Sequence, residues 1–100
     1  MTATLLAALL LLAQHGAWQD NYVSANGMAC CGRHDCQVAR VAVQLWEAIY
    51  VLVEVNGVAI TLPALSVHMS EDNNGWWCSK DPEAPVSVEN TRCVFFAVGG

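Results

Sequence analysis

The sequence predicts a mainly β protein: a small antiparallel sheet braced by disulfides, with a signal helix at its N-terminus. Three observations support this fold class: five cysteines among 100 residues, an apolar run near the start of the chain, and alternating β-branched residues on both sides of an Asn-Gly dipeptide. The length leaves room for one domain. Because a lone hairpin is marginal in water, we predict four or five strands that curl into a barrel or a half-sandwich.

The first element is the run of residues 5–13, which is apolar and uncharged throughout. A membrane-spanning helix needs roughly 20 such residues, so this run is typical of the hydrophobic part of a secretory signal peptide. We predict a signal peptide over residues 1–13, extending at most to residue 17, and a single β domain over residues 14–100 with no stable membrane span. A buried helix and an uncleaved membrane anchor are the alternatives.

Residues 14–29 show no hydrophobic period and predict a loop-like or short helical lead-in to the cysteines. Beyond the cysteines, Val41, Val43 and Leu45 alternate with more polar neighbours. This two-residue period is that of a half-buried strand, which we place over residues 37–46. A helix over residues 38–50 is the alternative, but the β-branched content favours the strand.

Asn56-Gly57 predicts a hairpin, because both residues tolerate the positive φ angles of a type I′ turn. Apolar runs at residues 49–55 and 58–62 flank the dipeptide. A two-residue loop fixes the register and places six side chains on one face, which is the predicted core face. The predicted cross-strand pairs are Val55 with Val58, Val53 with Ile60, and Val51 with Leu62.

The second half of the chain contains two further predicted strands. Pro63 ends the hairpin because it has no amide donor. We place a short strand at residues 76–78 and a closing strand at residues 91–98. The connections are a helical turn or crossing loop at residues 64–69, a turn at residues 70–75, and a surface loop at residues 79–90.

The five cysteines are disulfide candidates, since this density in a small exported domain indicates an oxidising compartment. Together with the apolar run they predict a periplasmic or secreted protein. The candidates are Cys30, Cys31, Cys36, Cys78 and Cys93.

Pairing cannot be read from the sequence alone, but the predicted strands favour one arrangement. Cys78 and Cys93 fall at strands joined by a polar loop, so we predict a bridge between them. Cys36 would then pair with Cys30 or Cys31, and the remaining thiol would be buried or join a second chain. The competing connectivity sends Cys30 or Cys31 to Cys78 or Cys93.

Four motifs follow one another along the predicted mature chain. They are His15 and Trp18 in the lead-in, CCGRHDC at residues 30–36, SEDN before Trp77-Cys78, and CVFF from Cys93. Together they resemble small exported cysteine-rich proteins of unknown function from alphaproteobacteria, with an H-x-W-Y start, a C-C-S-G-x-D-C box, an S-x-D-G-x-x-H-x-C segment and a C-L-F-V-P end. This chain differs by an extra His34, a Trp where the family tends to have His, and no closing proline. The resemblance implies export and a disulfide-braced β domain, and it implies no reaction.

The charge balance excludes one class of partner. The chain has 4 Lys and Arg residues against 9 Asp and Glu residues, a net charge of -5. Nucleic-acid binding depends on clustered Lys and Arg, so we predict no nucleic-acid partner.

Metal binding is the alternative to a purely structural role for the cysteines. His15, His34 and His68, with some of Cys30, Cys31 and Cys36, are nitrogen and sulfur ligands suited to copper or zinc. The C-C-x4-C spacing is not that of a zinc finger, and thiols in an oxidising compartment pair with each other first. We therefore predict no cofactor, with copper or zinc binding as the alternative.

The sequence offers no convincing catalytic set. It lacks a C-x-x-C motif, and Cys36 beside His34 and Asp35 are sequence neighbours that rarely reach triad geometry. We predict a non-catalytic binding or structural accessory protein, with an unknown protein or small-molecule partner.

Adjacent strand residues point to opposite faces, so one of Trp76 and Trp77 could be exposed as a partner contact. Burial of both rings in a small core is the alternative.

Overall fold

A computed structural model of the chain describes residues 18–31 and 35–98, which form two β-sheets packed against each other. The predicted signal peptide lies outside the described residues. Short 3-10 turns cover Gln19–Asn21 and Ala64–Ser66. The strands are β1 (Cys36–Val38), β2 (Val41–Trp46), β3 (Tyr50–Val55), β4 (Val58–Pro63), β5 (Val67–Met69), β6 (Trp76–Ser79) and β7 (Thr91–Phe96).

The hairpin of β3 and β4 has the predicted turn and register. Asn56 and Gly57 have φ angles of 50° and 86°, as the tight turn requires. All three predicted cross-strand pairs are present. Five of their six side chains are buried, whereas Val58 beside the turn is 44% exposed. With β2 the hairpin makes a three-stranded sheet in the order β2-β3-β4.

The strand predicted over residues 37–46 is instead two strands in different sheets. β1 pairs with β6, whereas β2 pairs with β3. Between them the Ala39 amide donates to the Gly75 carbonyl at 2.9 Å. A Cβ on Gly75 would collide with the backbone of Ala39, so the chain can turn here only beside a glycine.

The second sheet has the order β1-β6-β7-β5 and is not wholly antiparallel. β5 runs parallel to β7, with Val67 opposite Val94 and Met69 opposite Phe96. The prediction of an all-antiparallel sheet is wrong at this edge. The 3-10 turn after Pro63 redirects the chain, so β5 does not continue the hairpin.

Both faces of the four-stranded sheet are covered, and the two-residue strand period separates two cores. Trp77 and Val94 face the three-stranded sheet, where they pack with Val51, Val53 and Leu62. The alternating residues of this sheet face the lead-in, whose described part is residues 18–31. Together with Cys30 and Cys31 of the lead-in they form the second core, which also contains Cys36, Trp76, Cys78, Cys93 and Phe95.

The fold is thus mainly β, as predicted, with two packed sheets and two disulfides. Of the helices in the described part of the chain, none has the length and apolar character needed to cross a bilayer.

Candidate functional site

Two disulfides cross the second core, and neither is the bridge preferred from the sequence. Cys30 bonds Cys93, with an S–S distance of 2.03 Å, and Cys36 bonds Cys78. The Cys30–Cys93 bridge belongs to the competing connectivity. The Cys36–Cys78 bridge belongs to neither arrangement, so the predicted pairing of Cys36 with Cys30 or Cys31 is wrong. The predicted bridge between Cys78 and Cys93 is wrong.

The reason lies in the sheet order. Cys78 and Cys93 are opposite each other on β6 and β7, as the strand predictions implied. Each is also adjacent to a further segment: Cys36 lies opposite Cys78 across the β1–β6 ladder, and Cys30 comes from the lead-in above the sheet. Each strand cysteine bonds that segment: the Cys30–Cys93 bridge holds the lead-in on the sheet, and the Cys36–Cys78 bridge links β1 to β6 within it.

Cys31 takes part in neither disulfide and is buried in the same core. Burial raises the pKa of its thiol, an effect that hydrogen bonds from the Cys36 and Asp35 backbones partly oppose. Since nucleophilic cysteines depend on the thiolate, this thiol is in an environment that disfavours reaction.

Aromatic rings pack around the disulfides and complete the second core. Trp18 meets Phe95 edge to face, with ring centroids 4.8 Å apart, and meets Trp76 at 6.5 Å. Tyr22 lies 5.3 Å from Phe95 and donates its hydroxyl hydrogen to Glu71 Oε2 at 2.7 Å. These contacts fix the lead-in over the sheet.

The two tryptophans considered as partner contacts are both buried, Trp76 being 3% exposed and Trp77 4%. They do point to opposite faces, but each face has its own core. Trp76 Nε1 donates to Asp72 Oδ1 at 2.9 Å, and Trp77 Nε1 donates to Thr91 Oγ1 at 2.9 Å. Of the two alternatives that the sequence left open, burial of both rings is the one observed.

The Asp72 carboxylate accepts several hydrogen bonds beside the second core. Burial alone would raise the pKa of this carboxyl, but hydrogen bonds from Trp76, Ser70 and Asn74 outweigh burial and lower it. A carboxyl whose pKa is lower in the folded state stabilises the fold above its unfolded pKa, here about 3.8. That contribution to stability is lost as the pH falls through the pKa that the carboxyl has in the folded state.

We expect Asp72→Asn to reduce the acid sensitivity of the protein. Urea unfolding at pH 7 and at pH 3 should show a smaller loss of stability in the variant than in the parent, because the variant has no charge to lose at this position. An identical loss in both proteins would show that the hydrogen-bonded carboxylate contributes nothing.

Of the three histidines considered as metal ligands, His15 and His34 lie outside the described residues. His68 is on β5, half-buried, and its Nε2 lies 2.9 Å from the Val23 carbonyl oxygen. Burial lowers the pKa of His68, and the hydrogen bond to Val23 partly opposes this effect. Its ring is 5.4 Å from Phe95, and one ring nitrogen lies within 4.8 Å of the sulfurs of Cys30 and Cys93.

A separate groove of about 470 Å³ opens between the lead-in, the end of β4 and the β6–β7 connection. We call it the basic groove, because its lining includes Lys80 and Arg92. It is lined by Ser24, Ala25, Asn26, Met28, Leu62, Pro63, Ser66, Lys80, Val88, Thr91 and Arg92. Sequence reasoning missed it, since its residues come from three distant segments with no shared motif.

Comparisons with known proteins identify no relative: no family model, no curated protein and no solved structure matches this chain.

Proposed function

We propose that this protein is exported to the periplasm or outside the cell, and that it acts there as a non-catalytic binding protein whose basic groove holds a small amphipathic anion. The observation that carries this proposal is the composition of the groove. Its lining includes two of the chain's four Lys and Arg residues and none of its nine Asp and Glu residues. Arg92 is ion-paired with Asp35, so Lys80 supplies the uncompensated positive charge, which favours an anion at this place in an acidic protein.

Export is supported by the two disulfides, which indicate an oxidising environment. The apolar run of residues 5–13 supports a signal peptide. The resemblance to small exported alphaproteobacterial proteins agrees with both, since its cysteine motifs include all four residues of the two bridges.

The polar side of the groove is rich in hydrogen-bond donors. Arg92 Nη1 is 3.0 Å from Asp35 Oδ2, and this ion pair leaves other guanidinium donors available. Ser66 Oγ accepts from the Ala25 amide and Ser24 Oγ accepts from the Met28 amide, so both hydroxyl hydrogens remain to be donated. A carboxylate or sulfonate matches this donor set.

The other side of the groove is apolar, through Met28, Leu62, Pro63 and Val88. A volume of about 470 Å³ lies within the range of small-molecule sites. A ligand with an apolar body and one anionic end would therefore contact both sides. The described lining contains no His, Asp or Glu, the usual general bases, which favours binding over catalysis.

Titration with octanoate, followed by the amide resonances of the oxidised protein, tests this function. We expect octanoate to change the chemical shifts only of residues that line the groove. Octylammonium at the same concentration should change none of them, because its head group is positively charged and that of octanoate is negative. Lys80→Gln should weaken octanoate binding by about tenfold, the effect of one charge-assisted hydrogen bond.

Arg40→Gln is the matched control, because Arg40 is an exposed cation outside the groove. It should leave octanoate affinity unchanged. Equal affinities for octanoate in the parent and Lys80→Gln, or shifts spread over exposed apolar side chains such as Trp46, would contradict the proposal.

A second function, copper or zinc binding, is favoured by one specific observation. The ligating atoms of Cys30, His68 and Cys93 all lie within 4.8 Å of one another. Two of the three are bonded to each other in the disulfide, so metal binding at this cluster requires that bridge to open.

A further inference from the structure

The Cys30, His68 and Cys93 cluster joins three separate parts of the fold. Cys30 belongs to the lead-in, His68 to β5 and Cys93 to β7. β5 and β7 are hydrogen-bonded neighbours, with His68 opposite Phe95. Two strands of one sheet thus set the positions of His68 and Cys93. Cys30 is held beside them by its disulfide to Cys93.

The distances in this cluster are already close to those of a metal site. Zinc binds thiolate sulfur at about 2.3 Å and imidazole nitrogen at about 2.0 Å. A thiolate sulfur and an imidazole nitrogen on one ion are therefore at most about 4.3 Å apart. The His68 ring nitrogen lies within 4.8 Å of the Cys30 and Cys93 sulfurs, so it must approach them by no more than about half an ångström. Opening the 2.03 Å S–S bond allows the sulfurs to separate toward such spacing.

His68 also has the partner that metal-binding histidines use. Its Nε2 is 2.9 Å from the Val23 carbonyl oxygen, which can only accept a hydrogen bond. The nitrogen that contacts this oxygen must therefore carry the hydrogen, and Nδ1 has the lone pair. Donation to a backbone carbonyl fixes the tautomer and ring orientation of a ligating histidine.

We propose that reduction of the Cys30–Cys93 disulfide converts this cluster into a Cys2His site for a thiophilic ion, Zn²⁺ or Cu⁺. The inference is independent of the basic groove and rests on the second function proposed above. A dithiol reductant transfers two electrons and two protons to the bridge, giving two thiols and the disulfide of the reductant. Binding of the ion then releases the two thiol protons, and the metal links the same segments that the disulfide linked.

The disulfide state and the metal-bound state exclude each other, because the same two sulfurs either bond each other or bind the ion. Both sulfurs are fully buried under the lead-in. A reductant therefore reaches them only when the lead-in opens, and the bound ion would hold the lead-in closed again. The site would thus bind metal only in a reducing environment.

The test is zinc titration of the full mature domain before and after reduction with a phosphine. For each bridge, the reduction consumes one phosphine and one water and yields two thiols and a phosphine oxide. Thiol counting verifies that the bridges are open. We expect one Zn²⁺ bound after reduction and none in the oxidised protein. A shift of the His68 ring nitrogens on zinc addition should identify the third ligand.

His68→Gln should weaken zinc binding to the reduced protein at least tenfold, which is about the effect expected on removing a ligand or its support. Cys31→Ala is the matched control: it removes a buried thiol outside the cluster and should bind zinc as the parent does. Because loss of both disulfides lowers the stability of each of these proteins, circular dichroism accompanies each titration. Zinc should restore the folded spectrum in the parent and in Cys31→Ala.

Three results would overturn the inference. The reduced parent could fail to bind zinc or to refold with it, or His68→Gln could bind zinc as tightly as the parent. Equal zinc binding by the oxidised protein would also overturn it. That last result would assign the ion to other groups, such as His15 and His34, and would leave the metal function itself standing.

Discussion

The double substitution Cys30→Ala and Cys93→Ala is expected to lower the free energy of unfolding by about 4 kcal/mol. The bridge joins residues 63 apart, so it removes a large loop-closure entropy from the unfolded chain. Domains of this kind are stable by roughly 5 to 15 kcal/mol, and the loss is a large share of that. Urea unfolding of the oxidised proteins measures it.

Cys31→Ala is the control for this prediction, because it removes a buried cysteine and keeps both bridges. We expect it to cost about 1 kcal/mol, as is common for a small buried truncation. If the double substitution costs no more than Cys31→Ala, the bridge does not stabilise the lead-in on the sheet.

Trp77→Ala is expected to cost about 3 to 5 kcal/mol, the range for removing a large ring from a core. Trp77 is 4% exposed and lies between the two sheets. Its indole nitrogen donates to Thr91 Oγ1 at 2.9 Å, and the Thr91 hydroxyl donates to the Ser87 carbonyl at 2.6 Å. The substitution removes both the packing and the first of these hydrogen bonds.

Trp46→Ala provides the comparison, since Trp46 is 49% exposed and contacts Phe96 at a centroid distance of 6.1 Å. We expect it to cost about 1 kcal/mol or less. Thermal unfolding of both variants tests the assignment of Trp77 to the core. Equal losses of stability in the two variants would contradict it.

The hairpin was predictable because its determinants are local. Asn56 and Gly57 set the turn, the two-residue loop sets the register, and the alternation of valines sets the buried face. The break between β1 and β2 was not predictable, because it depends on Gly75, which lies far along the chain and approaches the backbone of Ala39.

The disulfide pairing failed for a related reason. Cys78 and Cys93 were correctly placed on strands that proved to be neighbours, but pairing also depends on what covers those strands. Only the sheet order brings β1 beside β6 and the lead-in above β7. The two tryptophans illustrate the same point: their opposite orientations follow from the strand, whereas the burial of both follows from the second core.

The candidate site was predictable only in part. His68 and the cysteines stood out as ligand types, but their proximity needs β5 parallel to β7, which no local pattern indicates. The basic groove uses ordinary residue types from three segments, and only the folded chain brings Lys80 and Arg92 to one cavity.

The central claim is that one disulfide holds the lead-in on the four-stranded sheet of an exported domain and the other links β1 to β6 within that sheet. Non-reducing tryptic mapping of protein recovered from the periplasm or the medium tests it most directly. Arg33, Arg40, Lys80 and Arg92 separate Cys36, Cys78 and Cys93 from one another and from the Cys30-Cys31 pair. We expect the peptide ending at Arg33 to be linked to residues 93–100 through Cys30, and residues 34–40 to be linked to residues 41–80. A peptide joining residues 41–80 to residues 93–100, or four or more alkylated thiols in the exported protein, would contradict the account.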